Sequence, residues 1–146
     1  MKSQGSEQHS AEVNWLEKAA EGLVDVFYVY DLHERTNLYC NRSIWTALGF
    51  SPDDIAEMGD QFLATLVHPE DLSIIEENRS RLLNAPDGEV VITEYRIRDI
   101  FGDYVWLRSR DNVLDRDAHG VPRRIVGMAS DITPEKLREI HLQNQM

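Results

Sequence analysis

The chain has 146 residues, 42% of them hydrophobic and 28% charged, which is the composition of one globular domain and too little length for two. Its formal net charge of -11 argues against nucleic acid and anionic membranes as partners, and its one cysteine, Cys40, excludes an intramolecular disulfide. No apolar run has the length of a signal peptide core or a membrane span, so we expect a cytoplasmic protein without direct membrane insertion.

The N-terminal part of the chain predicts a tail followed by one amphipathic helix. Residues 1–10 are small and polar, and we expect them to be disordered. Residues 11–23 predict a helix whose apolar face carries Trp15 and Leu16. Because such a face needs apolar cover, we expect this helix to cap the sheet or to form a dimer contact.

A strand pair and a short helix come next. Residues 25–32 are β-branched or aromatic at nearly every position, which is typical of a strand buried on both faces. Residues 38–40 predict its partner strand. Asn41 stands at the N-cap position of a short helix that presents Ile44 and Leu48 on one face.

Two further helix starts follow one pattern, in which a capping residue precedes proline and acidic residues. Ser51 and Pro52 begin a short helix. His68 and Pro69 begin a longer helix, which we expect to end near Asn84 because Pro86 and Gly88 follow it.

The clearest pattern is a three-stranded antiparallel meander over residues 89–133. Tyr95 and Ile97 lie on one face of its first strand, and Gly102 and Gly120 mark its two turns. Two early strands, intervening helices and three late strands predict an α+β fold. We expect a five-stranded antiparallel sheet with helices over one face, flanked by N- and C-terminal helices.

Several motifs occur in an ordered set. They are Glu94-Tyr95-Arg96-Ile97, Trp106-Leu107, Ile125-Val126-Gly127 and Asp131-Ile132-Thr133, preceded by Leu48-Gly49-Phe50-Ser51 and His68-Pro69-Glu70-Asp71-Leu72. This set resembles a PAS domain with its C-terminal PAC motif. The resemblance implies the PAS fold, with residues 24–133 as the PAS/PAC domain and residues 134–146 as the start of an output or linker helix.

The resemblance also implies a function. PAS domains are sensor modules of larger signal-transduction proteins, such as a sensor histidine kinase of a two-component system or a diguanylate cyclase, so we expect a covalently linked effector domain and a homodimer. A small-molecule pocket would lie on the helical face of the sheet. Its candidate lining residues are Tyr28, Tyr30, Ile44, Leu48, Tyr95, Ile97, Leu107, Ser109, Ile125 and Ala129. The same residues could equally form a filled core.

The resemblance also implies a relay at the end of the last strand. Asp131, Ile132 and Thr133 would relay the signal between the last strand and the helix at Pro134, for which Thr133 is independently a candidate N-cap. Trp106, on the opposite face of the sheet, should be covered by the helix that carries Trp15 or by a dimer mate. The alternative function is a ligand-free dimerisation or protein-interaction module.

The sequence contains no motif of an enzyme: it lacks a G-x-S-x-G elbow, a phosphate-binding glycine loop and an H-E-x-x-H pair. We therefore expect a regulatory domain with no catalytic or metal-binding residues. Cys40 lies on a strand, outside the Asn-Cys-Arg-Phe-Leu-Gln motif of flavin photosensors, and no histidine lies within residues 70–84, where haem-binding PAS sensors carry theirs. Both facts argue against these cofactors and leave the ligand unknown.

Overall fold

The computed structural model describes residues 14–145, so the predicted disordered tail lies outside the described residues. Helix α1 occupies residues 14–21 of the described part. The remaining strands and α-helices are β1 (Val26–Asp31), β2 (Thr36–Cys40), α2 (Ser43–Ala47), α3 (Pro52–Met58), α4 (Phe62–Leu66), α5 (Leu72–Leu83), β3 (Val91–Arg98), β4 (Tyr104–Arg116), β5 (Pro122–Asp131) and α6 (Thr133–Gln145).

The five strands form one antiparallel sheet in the order β2-β1-β5-β4-β3, which confirms the predicted α+β fold. Helices α2 to α5 pack on one face, where Ile44 and Phe62 meet Tyr95 and Leu107 in the main hydrophobic core. The four middle residues of β1 are only half-buried. The expectation of a strand buried on both faces is therefore wrong, because the helices cover only one face of the sheet.

The predicted helix starts have different outcomes. The hydroxyl of Ser51 accepts a hydrogen bond from the Asp54 backbone, and the Asp54 carboxylate accepts one from the Ser51 backbone, which forms a capping box. His68 accepts a bond from the Glu70 backbone through Nδ1 and so caps a short 3-10 turn (Pro69–Asp71) that leads into α5. Asn41 caps no helix, since α2 begins after Arg42 without a side-chain cap.

Asn41 instead ties the N-terminal helix to the sheet. Its amide donates to the Ala20 carbonyl at 2.7 Å and the Asp25 carbonyl at 3.2 Å, and it accepts from the Phe27 backbone at 2.9 Å. The side chain is fully buried. Three satisfied bonds in the interior stabilise the fold more than one cap on a five-residue helix would, because an unpaired buried amide is costly.

The cover of Trp106 differs from the prediction. Its ring is faced by Lys136 of α6 at 5.0 Å and by Arg96 at 5.2 Å. Helix α1 contacts Tyr39 on β2, which two other strands separate from β4, and Trp15 and Leu16 remain 61% and 57% exposed. The prediction that α1 covers Trp106 within the chain is therefore wrong, whereas a contact with a dimer mate stays a prediction.

Candidate ligand cavity

A cavity of about 360 Å³ lies between the sheet and helices α2 to α5. At roughly 30 Å³ per water molecule, this volume corresponds to about twelve waters. It also falls in the usual range of about 300–1,000 Å³ for small-molecule sites. The protein therefore has room for a ligand of about a dozen non-hydrogen atoms.

All ten residues predicted to line a pocket border this one cavity. They are Tyr28, Tyr30, Ile44, Leu48, Tyr95, Ile97, Leu107, Ser109, Ile125 and Ala129. Their alternation on the strands places them on the inner face, and the spacing of Ile44 and Leu48 turns both toward it. Their part in binding a ligand stays a prediction.

The cavity has an apolar wall and a polar end. Ile44, Leu48, Ile55, Phe62 and Ile97 supply buried aliphatic and aromatic surface from α2, α3, α4 and β3. The polar end is formed where β1, β4 and α5 meet. Such an arrangement can hold an apolar ligand body and orient it by a few polar contacts.

The centre of the polar end is Asp111 on β4, which is 4% exposed. Its Oδ1 accepts a short hydrogen bond from the Tyr28 hydroxyl. Its Oδ2 lies 3.4 Å from the amide nitrogen of Asn78, which also donates to the Thr93 hydroxyl at 2.7 Å. Together with Ser109, these neutral donors hold the carboxylate in place.

Gly127 makes the contact between Tyr28 and Asp111 possible. On the sheet it lies on β5 directly between these two residues, as the register partner of both. A Cβ atom at position 127 would clash with Oδ1 of Asp111 and lie 2.6 Å from the hydroxyl oxygen of Tyr28. The glycine therefore provides the space through which the phenol reaches across one strand.

Burial dominates the electrostatics of this cluster. It raises the pKa of Asp111 from 3.8 to about 6, although hydrogen bonds from Tyr28, Asn78 and Ser109 act in the opposite direction. The pKa of Tyr28 is raised well above its usual value by burial and by the charge of Asp111. Burial also raises the pKa of Cys40 to about 12, so its thiol stays protonated at neutral pH.

More exposed polar residues line the cavity between the β1–β2 turn and α5. Arg35 and Glu76 form an ion pair across this gap at 3.4 Å. Arg79 donates to the Leu32 carbonyl at 3.1 Å, and its buried Nε has no partner among the described residues. The side chains of Arg35 and Glu76 are 50% and 62% exposed, so this part of the lining is in contact with solvent.

Asp111, Asn78 and Arg79 are among the cavity residues that the sequence reasoning missed. A signal for Asp111 was present, because Leu107 and Ser109 were assigned to the inner face and alternation places Asp111 there as well. Asn78 and Arg79 lie on α5, a helix that presents both polar and apolar residues to the cavity. Periodicity alone does not separate them from its solvated face.

The predicted relay residues lie at the junction between β5 and α6. The Thr133 hydroxyl accepts a bond from the Trp106 backbone at 2.9 Å, and Asp131 accepts one from the Thr133 backbone at 2.9 Å. The Ile132 backbone donates to the Trp106 carbonyl at 2.9 Å, and Lys136 pairs with Glu94 at 2.8 Å. The start of α6 is therefore bonded to β4 and β3, the strands that line the cavity.

Within residues 14–145, no cluster of three or more His, Cys, Asp and Glu residues could hold a metal ion. The same part of the chain contains no helix that is both long and apolar enough to cross a bilayer.

Comparison with known proteins identifies a family. Residues 37–129 match a family model described as PAS fold. Over 84 residues the chain is 37% identical to the two-component sensor PprA of Pseudomonas aeruginosa, an alignment that covers 58% of this chain and 9% of that protein.

Solved structures share the architecture. A sensory box histidine kinase/response regulator from Burkholderia thailandensis matches with a TM-score of 0.69 and 22% identity, over 89% of this chain and 93% of the other. The N-terminal domain of a diguanylate cyclase with PAS/PAC sensor from Marinobacter aquaeolei matches with a TM-score of 0.65 and 23% identity, over 77% and 98%. At these identities the structures support the fold alone.

Proposed function

This chain belongs to the PAS fold family, and we propose that it is a sensory module that binds a small molecule in its cavity and signals through α6. The proposal is based mainly on one observation. Leu107 on β4 lines the cavity and is the register partner of Asp131, and the adjacent Trp106 bonds to Thr133. A change in the cavity and a change at the start of α6 therefore involve the same short stretch of sheet.

The mechanism is a shift between two populations of the junction. A ligand that contacts β4 and β5 more favourably in one arrangement of these strands would raise the population of that arrangement. Because the bonds of Thr133 and Asp131 join α6 to the same strands, the favoured arrangement would set the position of α6. Asp131, Ile132 and Thr133 are thus the proposed relay.

The effector would be a separate domain of the same polypeptide. The chain spans 9% of the two-component sensor to which it is similar, and similar folds occur in a histidine kinase and a diguanylate cyclase. We place the PAS/PAC domain at residues 24–133, the start of the linker at residues 134–146 and the protein in the cytoplasm. Its role there is regulatory and not catalytic.

The test combines ligand discovery with a measurement on α6. Natively purified protein is analysed by native mass spectrometry, and the stripped protein is screened against metabolites by thermal shift. A bound ligand should change hydrogen–deuterium exchange in α6 as well as in the cavity strands. Finding no ligand by either method, or a ligand that leaves α6 unchanged, would contradict the proposal.

A second function, ligand-free dimerisation, is favoured by the exposure of Trp15 and Leu16 on α1. If α1 forms the dimer contact, changing both residues to Asp should give monomers in sedimentation velocity. Phe101→Asp is the matched control, because Phe101 is 86% exposed at the β3–β4 turn. Unchanged assembly of the double variant would exclude this interface.

A further inference from the structure

Asp111 is a buried carboxylate for which the described residues supply no cation. Its hydrogen-bond donors are the neutral side chains of Tyr28, Asn78 and Ser109, and no Lys, Arg or His in residues 14–145 forms an ion pair with it. An ionised group without a counter-charge is expensive to bury. The uncompensated charge faces a space that could hold a partner.

The surroundings of Asp111 suit a positive charge. The phenol rings of Tyr28 and Tyr95 line the same cavity, and the field of Asp111 acts on both hydroxyls. Phenol faces attract cations, and an ammonium group has three N–H donors for the oxygens of a carboxylate and a hydroxyl. The net charge of -11 also attracts cations to the protein.

We propose that the cavity binds a small organic amine, with its ammonium group on Asp111 and its apolar body against the wall formed by Ile44, Leu48 and Phe62. This inference rests on the proposed sensory function and specifies the class of ligand. The volume of about 360 Å³ limits that ligand to about a dozen non-hydrogen atoms.

An anionic ligand is the rival, because Arg79 also lines the cavity and its Nε lacks a partner among the described residues. Arg79 already donates to the Leu32 carbonyl and is only half-buried as a residue, whereas Asp111 is 4% exposed. Asp111 lies among the buried strand residues, where an ion pair is screened least. The geometry therefore favours the cation.

Three probes with one carbon skeleton separate these possibilities: 2-phenylethylamine, 2-phenylethanol and phenylacetate. Their affinities are measured by isothermal titration calorimetry at pH 7.5, where the amine is a cation and the acid an anion. We expect the amine to bind at least tenfold more tightly than the alcohol, since hydrogen bonds between charged groups are the stronger ones.

Two variants assign this preference to one carboxylate. Asp111→Asn keeps the shape of the side chain but removes its charge, and it should reduce the preference for the amine to less than threefold. Asp115→Asn is the matched control on the same strand, because Asp115 pairs with Arg124 outside the cavity. It should leave the preference unchanged, and circular dichroism verifies that both variants fold.

Equal binding of amine and alcohol, tighter binding of phenylacetate, no binding of any probe, or a preference that survives Asp111→Asn would each overturn the amine assignment. The proposed function fails separately. If the metabolite screen finds a ligand of another class that changes α6, the sensory role stands without the amine. If 2-phenylethylamine binds through Asp111 but leaves hydrogen–deuterium exchange in α6 unchanged, the amine assignment stands and the sensory role fails.

Discussion

Asp71 and Asp111 are equally buried, at 4% exposure each, but only Asp71 forms an ion pair among the described residues. The carboxylate of Asp71 accepts hydrogen bonds from the guanidinium and from the backbone N–H of Arg96, both at 2.8 Å. These bonds anchor the start of α5 to β3. Asp111 receives only neutral donors. The first charge is compensated inside the fold, and the second is compensated only if something else brings a cation.

The pKa values of the two carboxyls express this difference. Hydrogen bonds from Arg96 lower the pKa of Asp71, so its stabilisation is present above the unfolded-state value and is lost as the pH falls through the lowered one. Burial raises the pKa of Asp111 to about 6, so its ionised form destabilises the empty protein above that pH. Ionised Asp71 therefore stabilises the folded state, and ionised Asp111 destabilises it.

Removing the compensated carboxylate should have the largest effect on stability. Asp71→Ala leaves Arg96 without its buried partner, and we expect a loss of about 3 kcal/mol in the free energy of unfolding, measured in urea. Glu70→Ala is the control, because Glu70 contacts the same guanidinium at 3.2 Å from a 77% exposed position. It should have little effect. Equal losses for both variants would show that Asp71 is not the anchor.

The glycine beside Asp111 provides the next largest effect. Gly127→Ala places a methyl group between Tyr28 and Asp111, and we expect a loss of about 2 kcal/mol in the same assay from overpacking. If the clash with Asp111 is the cause, adding Asp111→Ala to this variant should recover part of the loss. Purely additive losses would mean that the two positions do not interact.

The uncompensated charge should produce a distinctive pH dependence. Ionisation of Asp111 makes the wild type less stable as the pH rises through 6, whereas Asp111→Asn lacks this group. The rise in the pKa of Asp111 from 3.8 to about 6 is linked to stability. It predicts that the free energy of unfolding of the wild type increases by about 1.4 kcal/mol relative to that of Asp111→Asn when the pH falls from 7.5 to 5. Parallel stability profiles would contradict the buried, ionisable state of Asp111.

We expect the smallest effect on stability at the junction between β5 and α6, where the polar groups, like Asp71, have partners within the protein. Thr133→Val removes the acceptor for the Trp106 backbone, and we expect a loss of about 1 kcal/mol and faster hydrogen–deuterium exchange at the start of α6. Thr65→Val, at an exposed position of α4, is the control. Unchanged exchange in α6 would remove Thr133 from the relay.

The sequence predicted the residues on the inner face of the sheet better than the chemistry of the cavity. Alternation placed Tyr95 and Ile97 on one face, because strand periodicity depends only on local geometry, and the family resemblance implied that Leu107 and Ala129 share that face. The sequence did not reveal the role of Asp111, because that role depends on which side chains the neighbouring strands and α5 place around the carboxylate. Tertiary contacts decide whether a cation is among those side chains, and they leave no local sequence pattern.

Asn41 and Trp106 show the same limit. An Asn before a helix has the same sequence pattern whether it caps that helix or is buried against α1. Trp106 was correctly placed on the outer face of β4, but its cover depends on the direction in which α6 leaves the sheet. The motif Asp131-Ile132-Thr133 locates the junction and does not specify that direction.

The pKa of Asp111 itself can be measured from its carboxyl carbon shift in NMR titrations with and without 2-phenylethylamine. We expect a value near 6 in the empty protein and a fall of at least one unit when the amine is bound, because the ammonium group stabilises the ionised form. An ordinary value near 3.8 in the empty protein, or a raised value that the amine leaves unchanged, would contradict this expectation.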